Sequence, residues 1–504
     1  MSSVVQAQPH PRRSQRSALI WFLPAQAAAA FTVIAIANGG QLLRTWIFGA
    51  LTWAMALPVL VSLEAGLTAM MLFEPVRGII RRAQYLFVPY DSQDPIHVLT
   101  PIVTLLAFAL LLKRERLAIF TASPLAGAVS LLGLIYFIEI FNPLQGGLIV
   151  GLSSAMFVLI PLLWFYFGQT LKDDFLRHGL RLIVVIGLVT SLYGVYQLMF
   201  GYPSFEQVWI EKTDFYNSIA VGHIERALAT FCSAEEWGRY TELGAIIAFG
   251  FAAARKKLTT RAAWLVAGAF LTVFVILTGQ RSAVFGLVVG LITLVLIGAR
   301  SLRNALARVA LLLAPVLLLL VFMQAPAEED MWSNDSTQTV STVLSHTQRG
   351  VLKPAEEESF QVRLTNWTYL LTEVIPYRPL GAGIGAGSLS EWRYSQESDL
   401  PPIDSSILLQ AITCGIPGLL LFVWILSRST WWSWRVARRA APGDANTNVK
   451  RIVAAMMVAI VLNSMFGLTF TLYSIAPIAW LLIGWISAET LKAHREVDRE
   501  IIEI

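Results

Sequence analysis

The sequence predicts an all-α membrane protein, a polytopic bundle of transmembrane helices with one large polar loop, and three observations carry that reading. Hydrophobic residues make up 56% of the 504-residue chain and charged residues only 14%, with a mean hydropathy of +0.62. Chains of that composition bury most of their length in lipid. Apolar windows of about 20 residues, the length that crosses a hydrocarbon core, succeed one another almost without pause. The long exception runs from Gln324 to Asp404, where five basic residues face twelve acidic ones for a net charge of −7. A segment so charged stays out of hydrocarbon and folds against one end of the bundle.

Taken in order, residues 18–73 have room for two ordinary spans or three short ones. Further spans are expected at 97–112, 119–141, 147–168, 181–200, 240–254, 262–278, 283–299, 305–323, 405–427, 452–468 and 470–488. The total is even, about 12 to 14 spans of this length. Lys113–Arg116, Lys172–Arg181, Arg255–Arg261, Arg300–Arg308 and Arg428–Arg451 are basic and fall at every second junction, which marks the cytoplasmic side. The alternate junctions, including Tyr202–Tyr240, the tight turn Gly279–Arg281 and the acidic loop, face outward. The expected divisions are a cytoplasmic tail 1–17, a bundle 18–323 with an outward loop 202–239, a large outward loop 324–404, C-terminal helices 405–490 and a cytoplasmic tail 491–504.

Two places resist this pattern. Arg77, Arg81 and Arg82 fall on the far side from the next basic cluster. Either three short spans precede them, or residues 76–90 lie along the interface with their arginines on something anionic. At the start, Arg12, Arg13 and Arg16 precede an apolar run with Ala25-Gln26-Ala27 resembling a signal-peptidase site. Hydrophobicity continues past it, so a retained first anchor is expected.

The net charge of +5 reflects membrane topology and does not point to nucleic acid. Cys232 and Cys414 are too few for a disulfide framework, and His223 and His346 are isolated. No spacing matches a zinc site or a nucleophile elbow, so neither metal nor cofactor is expected.

Three arginines near the outer face stand out. Arg281 opens a helix within a turn that leaves almost no loop. An unpaired guanidinium at membrane depth costs at least about 3 kcal/mol, so this one meets an anion, faces water or snorkels to the headgroups. Arg226 begins Arg226-Ala-Leu-Ala-Thr-Phe ahead of Glu235 and Glu236, either of function or as an ordinary salt bridge to Glu225 or Glu235. Arg363 lies on an amphipathic helix of the acidic loop, whose residues Phe360, Leu364, Trp367, Leu371 and Val374 form an apolar stripe expected to lie flat on the bundle.

The run Gly381–Gly387 alternates glycines without the spacing of a nucleotide fingerprint and reads best as a tight re-entry turn. Asp404 stands at the outer mouth of the next span. It is either the cap of that helix or a base for a hydroxyl nucleophile.

In that order these pieces resemble the O-antigen ligase and polysaccharide polymerase family of bacterial membrane glycosyltransferases. The elements are Arg226-Ala-Leu-Ala-Thr-Phe, Gln280-Arg281-Ser282, Arg363 with Trp367, Pro379-Leu-Gly-Ala-Gly-Ile-Gly385, and Asp404-Ser405 succeeded after nine residues by Gly415-Ile-Pro-Gly418. The resemblance implies a helical bundle of the membrane-embedded (GT-C) type in the inner membrane. A glycan on undecaprenyl diphosphate would pass there to an acceptor hydroxyl of a glycan at the periplasmic face, without a metal. It implies diphosphate binding by Arg226, Arg281 and Arg363, catalysis by Asp404 with Arg281, and loop or acceptor contacts by Trp367, Gly383, Gly385 and Trp392.

Ligases carry histidine where this chain has Asp404. That departure favours a polymerase of exopolysaccharide repeat units, in the company of membrane lipids and other export components, over transfer to a lipid A core. A transporter or flippase for lipid-linked glycans would use the same arginines. Transporters usually show internal repeats and ionisable groups at the midplane, whereas here the charges collect at one face, with Glu64 and Glu139 the main exceptions.

Overall fold

The computed structural model describes residues 40–88, 94–212, 220–221, 224–299, 358–387, 400–440 and 446–502, with a few more between 301 and 310. Among them the chain is a helical bundle, with one pair of two-residue strands, Ala220–Val221 against Ile224–Glu225. The helices that frame the site are α1 (Gly40–Val61), α2 (Leu63–Phe73), α3 (Arg77–Ala83), α4 (Leu99–Glu115), α5 (Ala126–Glu139), α6 (Leu148–Leu162), α7 (Trp164–Thr170), α8 (Asp173–Phe200) and α9 (Ser204–Lys212). They continue as α10 (Ala234–Ala254), α11 (Leu258–Leu277), α12 (Arg281–Gly298), α13 (Glu358–Tyr369), α14 (Ser406–Arg439), α15 (Thr447–Met465) and α16 (Ala476–Ile502).

Eight helices among the described residues are long and apolar enough to cross a membrane. The expected spans within residues 18–39 and at 305–323 lie outside the described residues. Those at 119–141, 240–254 and 470–488 correspond to α5, α10 and the first part of α16, none of which is among the eight. Helix α10 is the most enclosed: from Ala234 to Ala252 nearly every residue is buried. Surrounded by protein, it carries Glu235, Arg239 and Glu242 along its length. The lipid-facing helices behave oppositely, with Val185, Val189 and Leu192 of α8 and Leu265, Val266 and Phe270 of α11 exposed.

Small residues set the closest crossings, as in membrane bundles generally. Where α7 meets α16, a Cβ on Gly168 would lie 2.1 Å from Leu481 O and one on Gly484 2.0 Å from Phe165 O. Helix starts carry their own caps: Ser62 Oγ accepts from Ala65 N and Ser233 Oγ from Glu236 N, both at 3.0 Å, and Glu235 and Glu236 stand at the positive end of the α10 dipole.

Residues 76–88, the described part of that segment, do not form a span. Helix α3 runs beneath the connector between α8 and α10, and its arginines meet carboxylates of the protein itself. Arg81 pairs with Asp94 at 2.9 Å, Arg82 with Glu206 at 2.6 Å, and Arg77 lies 3.4 Å from Glu74 and over the Tyr473 ring. The anionic partner is therefore internal. Buried guanidiniums persist only when paired in this way, and this answers why they break the charge alternation.

Candidate active site

The stretch from Arg226 to Phe231 has no regular structure, yet its backbone is held at almost every step. Tyr202 Oη donates to Arg226 O at 2.6 Å, and Gln197 Oε1 accepts from the amides of Leu228 and Ala229 at 3.1 and 2.7 Å. Arg82 donates to Ala229 O at 2.5 Å and Phe231 O at 2.6 Å, and Thr230 Oγ1 to Pro75 O at 2.6 Å. Ala229 sits at φ +49°, a left-handed geometry that costs a side chain about 1 kcal/mol. The bonds on both sides of it hold it there. Sequence reasoning missed Gln197, Tyr202 and Glu206 as supports. They are scattered polar residues in apolar or loop surroundings, and only the odd placement of Arg82 hinted at them.

Helix α12 begins at Arg281 after Gly279, whose φ of +69° closes the turn from α11. Asp404 lies at the start of α14, but it does not cap the helix. Ser405 does, its Oγ accepting from Leu408 N at 3.4 Å. The α14 start is fastened to the turn after α15: Ser406 N and Oγ both donate to Gly467 O, at 3.0 and 2.9 Å. Relieved of capping, the Asp404 carboxylate turns to the loop helix. Oδ2 pairs with Arg363 Nε, and Oδ1 accepts from Trp367 Nε1 at 2.9 Å. The Trp367 indole stacks on Phe466, with ring centroids 6.1 Å apart.

Helix α13 therefore docks through Trp367 and Val374 of the expected stripe, while Phe360, Leu364 and Leu371 of that stripe are exposed and Leu370 and Ile375 are buried instead. A π turn over Leu370–Val374, closed by Ile375 N on Leu370 O at 2.9 Å, follows the helix. The wider turn shifts the register after Tyr369 and brings Leu370 and Ile375 inward beside Val374.

The glycine run is a backbone-to-backbone joint. Helix α14 breaks at Gly415, at φ +67° and ψ −171°, and Ile416 N bonds to Pro379 O at 2.8 Å. Ala382 N and Gly383 N take Ile412 O and Thr413 O at 2.8 and 3.2 Å, and Gly385 N takes Gln145 Oε1 at 2.9 Å. Gly383 and Gly385 are thus buried, with their amides engaged. Trp392 lies outside the described residues, as does most of the acidic loop.

Arg226 is where the pieces meet electrostatically. Burial pulls its pKa below the usual arginine value; Glu235 and then Tyr202 oppose this, and Arg281 and Arg363 push further down. Guanidiniums from a connector, a helix start and a loop helix thus bear on Arg226, and one of them, Arg363, pairs with the Asp404 carboxylate. Among the described residues, no group of three or more His, Cys, Asp and Glu is placed to share a metal ion.

Against known proteins, residues 266–423 match the family model described as O-antigen ligase. That interval runs from α11 through Arg281, Arg363, Trp367 and Asp404 to the segment of α14 just past its break. No curated protein matches the chain.

Proposed function

We propose, from the match of residues 266–423 to the family model described as O-antigen ligase, that the chain is a membrane glycosyltransferase of the O-antigen ligase and polysaccharide polymerase family and that it lengthens an exopolysaccharide. Its donor is a repeat unit on undecaprenyl diphosphate, and its acceptor is a glycan hydroxyl at the periplasmic face of the inner membrane. The reading rests chiefly on Asp404 held by Arg363 and Trp367 while Arg226 feels both Arg281 and Arg363.

In this reading the acceptor oxygen attacks the anomeric carbon as the bond from that carbon to the phosphate oxygen breaks, with inversion. The bonding pair leaves with undecaprenyl diphosphate. Arg226, Arg281 and Arg363 take up the charge gathering on that leaving group, an electrostatic contribution worth most where water is scarce. The hydroxyl proton passes to Asp404. The transfer comes late, because the hydroxyl turns acidic only as its new bond to the anomeric carbon forms. Arg363 spans both roles, touching the base and standing among the groups that face the phosphates.

The acceptor class is argued from Asp404 standing where ligases carry histidine. The test is purified protein in lipid nanodiscs given lipid-linked repeat units, with and without lipid A core. A ladder of products that needs no lipid A core supports the polymerase. One addition confined to lipid A core makes the protein a ligase, and an unconsumed donor refutes both.

A further inference from the structure

At the far end of the bundle, two arginines meet no carboxylate among the described residues. Helix α10 rises about 30 Å from Glu235 to Arg255 at its C-cap, so Arg255 stands the thickness of a hydrocarbon core away from the candidate active site. Helices α8 and α10 pack antiparallel: Trp237 Nε1 donates to Ser191 Oγ at 2.9 Å, and a Cβ on Gly187 would lie 3.9 Å from the Tyr240 ring. Side chains lean toward the N-terminus of their helix, and the Arg181 guanidinium of α8 accordingly lies over the Phe251 ring of α10, 5.7 Å from its centroid. Phe251 packs on Trp264 of α11, with centroids 5.0 Å apart, and Arg255 comes four residues after it.

Nε of Arg181 and Nε of Arg255 are buried without an acceptor, and neither guanidinium forms an ion pair or hydrogen bond among the described residues. The carboxylates at this end are taken. Asp174 pairs with Arg177 at 3.1 Å, and Asp173 accepts from Trp485 Nε1 and Asn446 Nδ2 at 3.0 and 2.5 Å. The charges that bear on Arg181 are those of Arg255 and Arg177, both positive. Three residues beyond Arg255, α11 begins with no side-chain cap and no acidic residue in its first turn, a helix end that also favours an anion. An apolar face leads away from the arginines. Val185, Val189 and Leu192, about one, two and three turns beyond Arg181, are exposed, as are Leu265, Val266 and Phe270 of α11.

We propose that Arg181 and Arg255 bind the phosphate of an anionic phospholipid, whose acyl chains lie on the exposed face of α8 and α11. Burial of Nε fixes each side chain and leaves its terminal nitrogens to bond phosphate oxygens, for which the guanidinium fork is suited. A free anion would answer the charges and leave the apolar face uncovered. A zwitterionic lipid brings a cation that the two arginines repel. A lipid of net negative charge meets both demands, and the inference is independent of the transferase reading.

The test is native mass spectrometry of the full-length protein released from nanodiscs of phosphatidylglycerol and phosphatidylcholine in equal parts, together with thermal unfolding in neutral detergent. Wild type is expected to retain phosphatidylglycerol about 10-fold over phosphatidylcholine, the size of two partly exposed ion pairs, and Arg181→Gln with Arg255→Gln to lose that preference. Lys256→Gln with Arg261→Gln removes as much charge from exposed positions nearby and is expected to keep it. In detergent without lipid the arginine double variant unfolds no earlier than wild type, because it loses only repulsion. Added phosphatidylglycerol then raises Tm of wild type and not of the variant. Should the double variant not fold, Arg181→Gln alone is expected to reduce the preference about 3-fold.

Arginine variants that retain phosphatidylglycerol as wild type does overturn the inference, since no site is then present. A Lys256 and Arg261 control that loses the lipid equally overturns it too, by showing a diffuse surface charge. If millimolar inorganic phosphate raises the wild-type Tm as much as the lipid does, this is a free-anion site and the lipid assignment fails.

Discussion

Asp404→Asn separates chemistry from architecture. The amide keeps the shape of the side chain and one carbonyl oxygen, so Trp367 retains an acceptor, while the charge facing Arg363 disappears. The Asp404 and Arg363 side chains are 30% and 45% exposed, and an ion pair that open is worth at most about 1 kcal/mol. In a bundle of this size that lowers Tm by about 2 °C or less. A positioned proton acceptor contributes about 100- to 10,000-fold to rate, so turnover of lipid-linked repeats should fall by at least about 100-fold. The assay pairs donor consumption by protein in nanodiscs with thermal unfolding of the same samples. Turnover within about 5-fold of wild type would refute a proton-accepting role, and a large loss of Tm would make Asp404 a structural residue. Trp367→Phe is the companion: it preserves stacking on Phe466 and removes one hydrogen bond of about 1 kcal/mol, so turnover should fall only about 5-fold.

Other substitutions probe the scaffold and the cations. Gly415→Ala puts a Cβ 2.3 Å from Pro379 O and 2.4 Å from Leu380 C at a backbone geometry only glycine adopts readily; strain of about 1 to 3 kcal/mol adds to the clash, and protease digestion of native membranes should cut the 379–387 segment faster than in wild type. Arg82→Met leaves Glu206 buried without its partner and should cost about 3 to 5 kcal/mol, seen as loss of folded protein in detergent; adding Glu206→Leu should restore much of it. Arg281→Ala should leave the protein in the membrane at wild-type levels while undecaprenyl-linked repeats accumulate and polymer shortens, with turnover reduced about 100-fold or more; normal polymer length would count against a role at the leaving group.

Membrane residence and the all-helical class were legible because they are properties of long windows: roughly 20 apolar residues can satisfy their backbone in lipid only as a helix. The tight turn at Gly279–Arg281 was legible for a similar local reason, two apolar runs with no room between them. Harder to read were segments whose environment is protein rather than lipid. Helix α10 tolerates Glu235, Arg239 and Glu242 because other helices enclose it, and Arg77, Arg81 and Arg82 looked out of place in the topology because Glu74, Asp94 and Glu206 were not yet beside them. The apolar stripe of α13 assumed an ideal helical period, which the π turn after Tyr369 interrupts.

By itself, then, the sequence determined that this chain enters a membrane, on which junctions its basic residues gather, and which residues were the candidates for a site: Arg226, Arg281, Arg363 and Asp404. Only the tertiary structure decided that Ser405 would cap α14 and free Asp404 for Arg363 and Trp367, and that Arg226 would sense Arg281 and Arg363. The reason is physical. Partitioning into lipid depends on composition summed along a window, whereas a charge acts over a few ångströms, and those distances exist only after segments well separated in the chain have packed together.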